Sequence, residues 1–260
     1  MPYENKLKKA LAQGRTVFGP FMKLSDPAVV EVFGYAGFDF VIIDTEHGPL
    51  SIETAENLVR AAQLTGVTPI IRVTDNDPAK ISRALDIGAQ GVQVPQITSR
   101  EEAEKAVRAA KFAPQGDRGV CRFVRAADYT ALDRYKYFLH ANENTLVIIM
   151  VEGLEGISNI DGILATPGID ILFVGPYDLS QSLGVTGQVN HPSVIAKLEE
   201  VTAKAREKGV VVGTFVDTVE AAHQWSKLGI QYISYSVDVG LLYEGSRQIV
   251  SALKDEIQRG

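Results

Sequence analysis

The chain of 260 residues has a single cysteine, Cys121, so it can form no disulfide within itself, and nothing in its cysteine usage points to an oxidising compartment. It has no run of Lys or Arg, and its formal net charge is -6. Binding to a phosphate backbone depends on clustered cations, so no nucleic acid partner is expected. Long apolar runs are missing too. The longest, Leu146 to Val151, is far too short to cross a bilayer. The opening stretch MPYENKLKKALAQG lacks the apolar core of a signal peptide and reads as a short amphipathic helix with Leu7, Ala10 and Leu11 on one side. No membrane partner is expected, and the cytoplasm is the default location. There is no Cys cluster and no His pair at helical spacing, which disfavours zinc sites of the usual structural or protease type. Internal repeats, low-complexity segments and interdomain linkers are likewise absent, so residues 1–260 read as one domain.

Hydrophobic residues make up 45% of the chain and charged residues 22%, enough to bury one large core. Apolar segments of strand length alternate with helical patterns, the signature of βα units and a parallel sheet. Strands are expected at Val17 to Lys23, Phe40 to Asp44, Pro69 to Val73, Val92 to Pro95, Leu146 to Val151, Ile171 to Val174, Val210 to Phe215 and Tyr232 to Ser236. These runs are rich in Val and Ile without polar alternation, as expected for strands covered by helices outside and packed inside a barrel. The fold class that follows is α/β, a (β/α)8 TIM barrel with an N-terminal helix.

Helix starts are marked by Asp26-Pro27 and Asp77-Pro78, each pairing a side-chain acceptor with a proline in the first turn. Ser99 with Glu102 fits a capping box ahead of Ala103, Ala106, Val107 and Ala110 on one face. Thr218 to Leu228 places Ala221, Ala222, Trp225 and Leu228 on one face before Gly229 ends the helix. The connection before the fifth strand, Pro114 to Asn144, is long and holds Gly116, Arg118, Gly119, Arg122 and Arg125; long connections often carry function. Its aromatic residues Tyr129, Tyr135, Tyr137 and Phe138 read as packing or interface residues.

Four strand ends carry charge. FVIIDTEHGP runs into Asp44, Glu46 and His47, TPIIRV ends at Arg72, TLVIIMVEG at Glu152, and DILFVGPYDLS at Asp178 after Gly175-Pro176. In a βα barrel the C-terminal strand ends gather around one axis, so these residues should form one site. Glu152 and Asp178 offer hard anionic oxygens suited to Mg2+ or Mn2+ with positions left open for water or substrate. A 2-oxo acid could chelate such an ion, which would stabilise an enolate, with Arg72 adding a fixed positive charge. His47 could act as general base if Asp44 accepts one ring N–H and fixes its tautomer. The N–H groups at the helix start after Gly175-Pro176, near Tyr177, would suit a carboxylate. Each residue has a plainer reading: Asp178 as a helix cap, Glu152 as a solvated loop carboxylate, His47 as a surface histidine, Arg72 as the partner of a loop acid. Convergence of four strand ends favours a site over these.

The strings DTEHGP, RVTDNDPAKISRALDIGAQGVQVP, GDRGV, MVEG and FVGPYDLS, in this order, resemble the HpcH/HpaI family of class II pyruvate aldolases, which cleave 4-hydroxy-2-oxo acids. The likeness covers almost the whole chain. It implies a barrel, one divalent ion (Mg2+, Mn2+ or Co2+), assembly as a homohexamer built as a trimer of dimers, and reversible cleavage to pyruvate and an aldehyde in the catabolism of aromatic compounds or sugar acids. By the same resemblance Glu152 and Asp178 are the metal ligands, His47 with Asp44 the base pair, and Arg72 the cation on the pyruvate side. Met150 stands where the family often has a glutamine that contacts water or substrate, and Thr45 stands where the typical aldolase has glycine. Asp86 matches a family carboxylate that reaches toward a neighbouring site. The alternatives are a related enolate enzyme, an oxaloacetate decarboxylase or acyl-CoA ester lyase, and a non-catalytic barrel. A Schiff-base aldolase would need a lysine inside the barrel, for which Lys23 is the candidate.

Overall fold

Eight apolar runs become eight parallel strands that pair in sequence order and close into a barrel in the computed structural model, which describes residues 4–259. They are β1 (Val17–Met22), β2 (Phe40–Asp44), β3 (Thr68–Arg72), β4 (Gly91–Val94), β5 (Leu146–Val151), β6 (Ile171–Val174), β7 (Val211–Val216) and β8 (Tyr232–Val237). The (β/α)8 expectation holds, with boundaries displaced by a residue. Lys23 lies just beyond β1 instead of within it, and β8 runs one residue past Ser236.

Successive strand residues face opposite sides, and here the two faces feed two different cores. Phe40, Ile42, Ile70, Ile148, Met150, Ile171, Phe173 and Tyr232 fill the barrel interior. Their neighbours Val41, Ile43, Ile71, Val147, Ile149, Val151 and Leu172 pack outward against the helices. Both faces being buried explains why the strand sequences show no polar alternation. Inside, the Phe40 and Tyr232 rings stack 4.1 Å apart.

The surrounding helices are α1 (Lys6–Ala12), α2 (Pro27–Ala36), α3 (Ile52–Thr65), α4 (Pro78–Asp86), α5 (Arg100–Ala110), α6 (Arg134–Asn144), α7 (Leu154–Ser158), α8 (Ile160–Leu164), α9 (Pro176–Ser182), α10 (Pro192–Glu207), α11 (Val219–Lys227) and α12 (Asp238–Arg259). Leu7, Ala10 and Leu11 of α1 are buried against the barrel floor as their spacing requires. Asp26 and Asp77 cap α2 and α4 by accepting from the N–H groups of Ala28 and Ala79 at 2.9 and 2.8 Å. Ser99 accepts from Glu102 N–H at 3.2 Å, but the Glu102 carboxylate turns to the N–H of Thr98, not to the cap residue, so the box is only half formed. Thr218 caps α11, and Gly229 follows it with φ +93°, a conformation favouring glycine.

The long connection before β5 holds a 3-10 turn at Arg125–Thr130 and then α6. Phe112, Ala127, Tyr137 and Ala141 form a small separate core there, while Tyr129 and Tyr135 are exposed. Arg118 pairs with Asp86 at 2.6 Å and lies over the Phe112 ring. Within this chain, then, Asp86 is held by Arg118. Helix α12 is different: Leu242, Tyr243, Ile249, Val250, Leu253 and Ile257 are all exposed along it. No helix among the described residues is long and apolar enough to cross a membrane.

Candidate active site

The inward parity of the strands delivers the charged residues to the barrel mouth, Asp44 and Arg72 at the last positions of β2 and β3 and Glu152 one residue past β5. Ile42 is followed on that face by Asp44, Ile70 by Arg72, and Met150 by Glu152. A cavity of about 330 Å3 opens there, lined by Asp44, His47, Arg72, Met150, Glu152, Asp178 and the aromatic rings of Phe21, Phe173 and Phe215. All four charged strand ends therefore meet in one place, together with His47, Gly175, Pro176 and Tyr177.

Asp44 and Arg72 are register partners on β2 and β3. The guanidinium donates from Nε to Asp44 Oδ1 at 2.9 Å and from Nη2 to Oδ2 at 2.8 Å, a bidentate fork with Asp44 fully buried. Arg72 Nη1 lies 3.0 Å from Glu46 Oε2, and the guanidinium carbon sits 4.7 Å from the centre of the Phe21 ring. Arg72 is thus held on three sides, with N–H donors still uncommitted at the cavity.

This arrangement corrects one expectation. Asp44 does not orient the His47 ring; both its oxygens serve Arg72, and Oδ1 also accepts the backbone N–H groups of Glu46 and His47 at 3.1 and 3.2 Å. A strand-terminal aspartate followed by a tight turn satisfies its own turn amides, so Asp44 fixes the position of the His47 backbone. The carboxylate nearest the ring is Glu46, whose Oε2 lies 4.0 Å from His47 Nε2. The His47 side chain is 65% exposed, at the cavity mouth.

Glu152 follows β5, and Asp178 lies in the first turn of α9. Both carboxylates face Gly175: a methyl group there would lie 3.5 Å from Glu152 Oε1, 3.7 Å from Asp178 Oδ2 and only 3.2 Å from Glu152 Cγ. Glycine leaves that space open. Glu152 Oε2 accepts the backbone N–H of Gln96 at 3.0 Å, and the Gln96 amide reaches Glu46 Oε1 at 3.3 Å. Gln96 has φ +57°, uncommon for a residue with a side chain, and this turn aims its N–H at Glu152. Gln96 and Glu46 are the site residues that sequence reasoning left without a role. Glu46 stood in the DTEHGP cluster, but Gln96 has no signal beyond following Pro95 at a strand end.

The electrostatics are lopsided. Burial raises Glu152 above the ordinary carboxylate range, opposed by the Gln96 N–H and reinforced by Glu46 and Asp178. Burial raises Glu46 as well, against the lowering effect of Arg72. Four carboxylates, Asp44, Glu46, Glu152 and Asp178, share one guanidinium, so the mouth has an excess of negative charge in a partly dehydrated setting. A divalent cation fits the chemistry of that donor set: the two carboxylates beside Gly175 supply hard oxygens, and the excess charge is what such an ion neutralises. No group of three or more His, Cys, Asp or Glu side chains is placed to hold a metal ion among the described residues, so a cation here would rest on two carboxylates and on water or substrate.

At the start of α9, Gly175 N–H is already bonded to Val151 O at 3.3 Å, and Pro176 has no N–H. The expectation that this turn offers amides therefore narrows to Tyr177 and Asp178. Met150 is buried with its sulfur 3.1 Å from Gln93 Nε2; Gln93 Oε1 is buried without a hydrogen-bond partner.

The chain is 33% identical over 252 residues to a 5-keto-4-deoxy-D-glucarate aldolase of Citrobacter koseri, covering 97% of both. It superposes with a TM-score of 0.91 and 35% identity on a HpcH/HpaI aldolase/citrate lyase family protein from Burkholderia cenocepacia J2315, covering 96% of this chain and 99% of that one. A citrate synthase, SbnG, matches with a TM-score of 0.86 and 33% identity over 98% of each chain. With residues 17–244 also matching the family as a whole, the chain belongs to the HpcH/HpaI aldolase/citrate lyase family, a family of lyases, and is an enzyme of the aldolase kind.

Proposed function

We propose that this enzyme is a divalent-cation-dependent aldolase that reversibly cleaves a 4-hydroxy-2-oxo acid to pyruvate and an aldehyde. The observation that carries this reading is that the carboxylates of Glu152 and Asp178 both lie beside Gly175 in the cavity that Arg72 also lines. These two residues would hold Mg2+, Mn2+ or Co2+. When bound, the ion supplies Lewis-acid polarisation of the 2-oxo group.

The chain's own residues do the rest. Uncommitted N–H donors of Arg72 meet the negative charge that develops at the 2-oxo oxygen, and the Asp44 fork prevents the guanidinium from moving. The Tyr177 and Asp178 N–H groups would donate to the substrate carboxylate. His47, directly or through a water, takes the proton from the C4 hydroxyl; the C4–O bond becomes a carbonyl, the C3–C4 bond breaks, and its electrons pass into the enolate of pyruvate. Protonation at C3 releases pyruvate. Phe21, Phe173 and Phe215 give the cavity an apolar floor that excludes water from the enolate.

A Schiff-base route is the direct competitor, since Lys23 lines the cavity. Borohydride with pyruvate separates the two: the expected result is an unchanged protein mass, and a reduced pyruvate adduct on Lys23 would overturn the proposal. The likeness to a citrate synthase supports a second reading, in which the enolate adds to a 2-oxo acid in the bond-forming direction. Pyruvate incubated with oxaloacetate or with aldehydes as acceptor distinguishes it. A CoA-ester lyase is disfavoured because Lys23 and Arg72 are the cavity's only lysine or arginine residues, leaving no basic cluster for CoA phosphates.

We further infer a homohexamer built as a trimer of dimers, one domain per chain over residues 1–260, acting in the cytoplasm. The exposed apolar residues of α12 support self-association, because so many on one helix are costly in water. Relatives named for a keto-deoxy-glucarate support sugar-acid over aromatic-compound catabolism. Light scattering that returns a monomer mass would contradict the assembly.

A further inference from the structure

The cavity extends beyond the groups that the proposed pyruvate half uses. Arg72 ends β3, Glu152 follows β5 and Asp178 follows β6 in the first turn of α9, and the rest of the wall is built from the ends of β1, β7 and β8. Inward parity places two further charged residues there. Phe21 is followed on the same face by Lys23, and Phe215 by Asp217; both line the cavity.

Each is held in a defined place. Tyr177 donates its hydroxyl to Asp217 Oδ2 at 2.6 Å, and its ring meets Phe215 edge-on with centroids 5.9 Å apart. Lys23 is placed by its backbone: the buried Asp238 at the end of β8 accepts the N–H groups of Lys23 and Leu24 at 2.9 and 2.7 Å. Its ammonium forms no ion pair among the described residues.

We propose that Lys23, Tyr177 and Asp217 form the subsite for the aldehyde half, selecting a short aldehyde with hydroxyl groups over its deoxy counterpart. The proposal rests on the aldolase reading above. Asp217 accepts from a substrate hydroxyl through its free oxygen, the Tyr177 phenolic oxygen has a lone pair open to a second hydroxyl, and Lys23 donates from the end of β1. The two side-chain charges cancel, which suits hydroxyl groups. An aldehyde without them leaves these polar groups unpaired, the situation that gives a polar pocket its strongest discrimination. The cavity volume of about 330 Å3, shared with pyruvate, suits an aldehyde of a few carbons.

The test is pyruvate addition to D-glyceraldehyde and to propanal, compared as kcat/KM at equal free aldehyde, with succinic semialdehyde as an anionic control. The wild-type enzyme is expected to favour glyceraldehyde at least tenfold over either. Asp217→Ala and, separately, Tyr177→Phe are expected to bring the glyceraldehyde-to-propanal ratio down at least fivefold, mainly through the KM for glyceraldehyde, with Asp217→Asn recovering part of it. A merely structural role would lower both substrates in parallel, and that result overturns the subsite. So does a wild-type preference for propanal or succinic semialdehyde. Failure with every aldehyde, in an enzyme that also forms no enolate from pyruvate, would instead remove the aldolase reading itself.

Discussion

Asp44 and Arg72 end neighbouring strands at the same register and close on each other through two parallel hydrogen bonds, both partners buried. Breaking a buried pair from one side strands the other charge, at a cost of about 3–5 kcal/mol. Asp44→Ala also removes the acceptor for the Glu46 and His47 amides. At about 2–4 °C per kcal/mol for a chain of this size, a fall in Tm on the order of 10 °C is expected. Thermal unfolding checks it; a change under 3 °C would show that the fork contributes little. Arg72→Lys, which keeps charge and loses the fork, should also raise the KM for pyruvate.

The crowding of carboxylates sets a pH dependence. A carboxyl raised above its ordinary value of 4.5, as Glu152 is, holds a proton in the folded state that the unfolded chain has already released. Its favourable contribution is full below the ordinary value and is lost as pH rises through the raised one. A cation bound to the ionised pair reverses that loss. Scanning fluorimetry with Mg2+ or Mn2+ against EDTA should therefore show a cation-induced rise in Tm that is larger at pH 7.5 than at pH 5. At a hundredfold excess over Kd, about 2.7 kcal/mol of stabilisation is expected. A rise that is equal at both pH values, or is kept in Glu152→Ala, would contradict the assignment.

His47 is held by its backbone and keeps a largely exposed ring, with Nε2 4.0 Å from Glu46 Oε2, as suits a group that must approach the C4 hydroxyl. His47→Ala should lower kcat for aldol cleavage by about 10²–10⁴, the usual range for loss of a general base. Oxaloacetate decarboxylation, which forms the same enolate without removing a hydroxyl proton, should fall much less. Equal losses in both reactions would place His47 in the handling of pyruvate instead.

The barrel was legible because strands buried on both faces leave unbroken Val and Ile runs, as at Phe40 to Asp44 and Leu146 to Val151. The meeting of Asp44, Arg72, Glu152 and Asp178 was legible for the same reason: each follows such a run. The partner of Asp44 was assigned wrongly by nearness in sequence, since His47 is three residues away and Arg72 twenty-eight. Strand register, which sets Asp44 beside Arg72, decides between them, and equal-length strands ending in opposite charges were its trace. Asp217 could have been found by extending the period-two pattern beyond Phe215, the same extension that carries Phe21 on to Lys23. Gln96 could not, because its role depends on a left-handed backbone turn that no neighbouring glycine announces.

The most direct measurement is exchange of the pyruvate methyl protons with deuterium, followed by NMR, since it reads enolate formation with no aldehyde present. Exchange should require added Mg2+ or Mn2+, stop with EDTA, and be lost in both Glu152→Ala and Asp178→Ala while each variant keeps a folded circular dichroism spectrum. Exchange that continues undiminished in EDTA, or in either variant, would contradict a cation held by these two carboxylates.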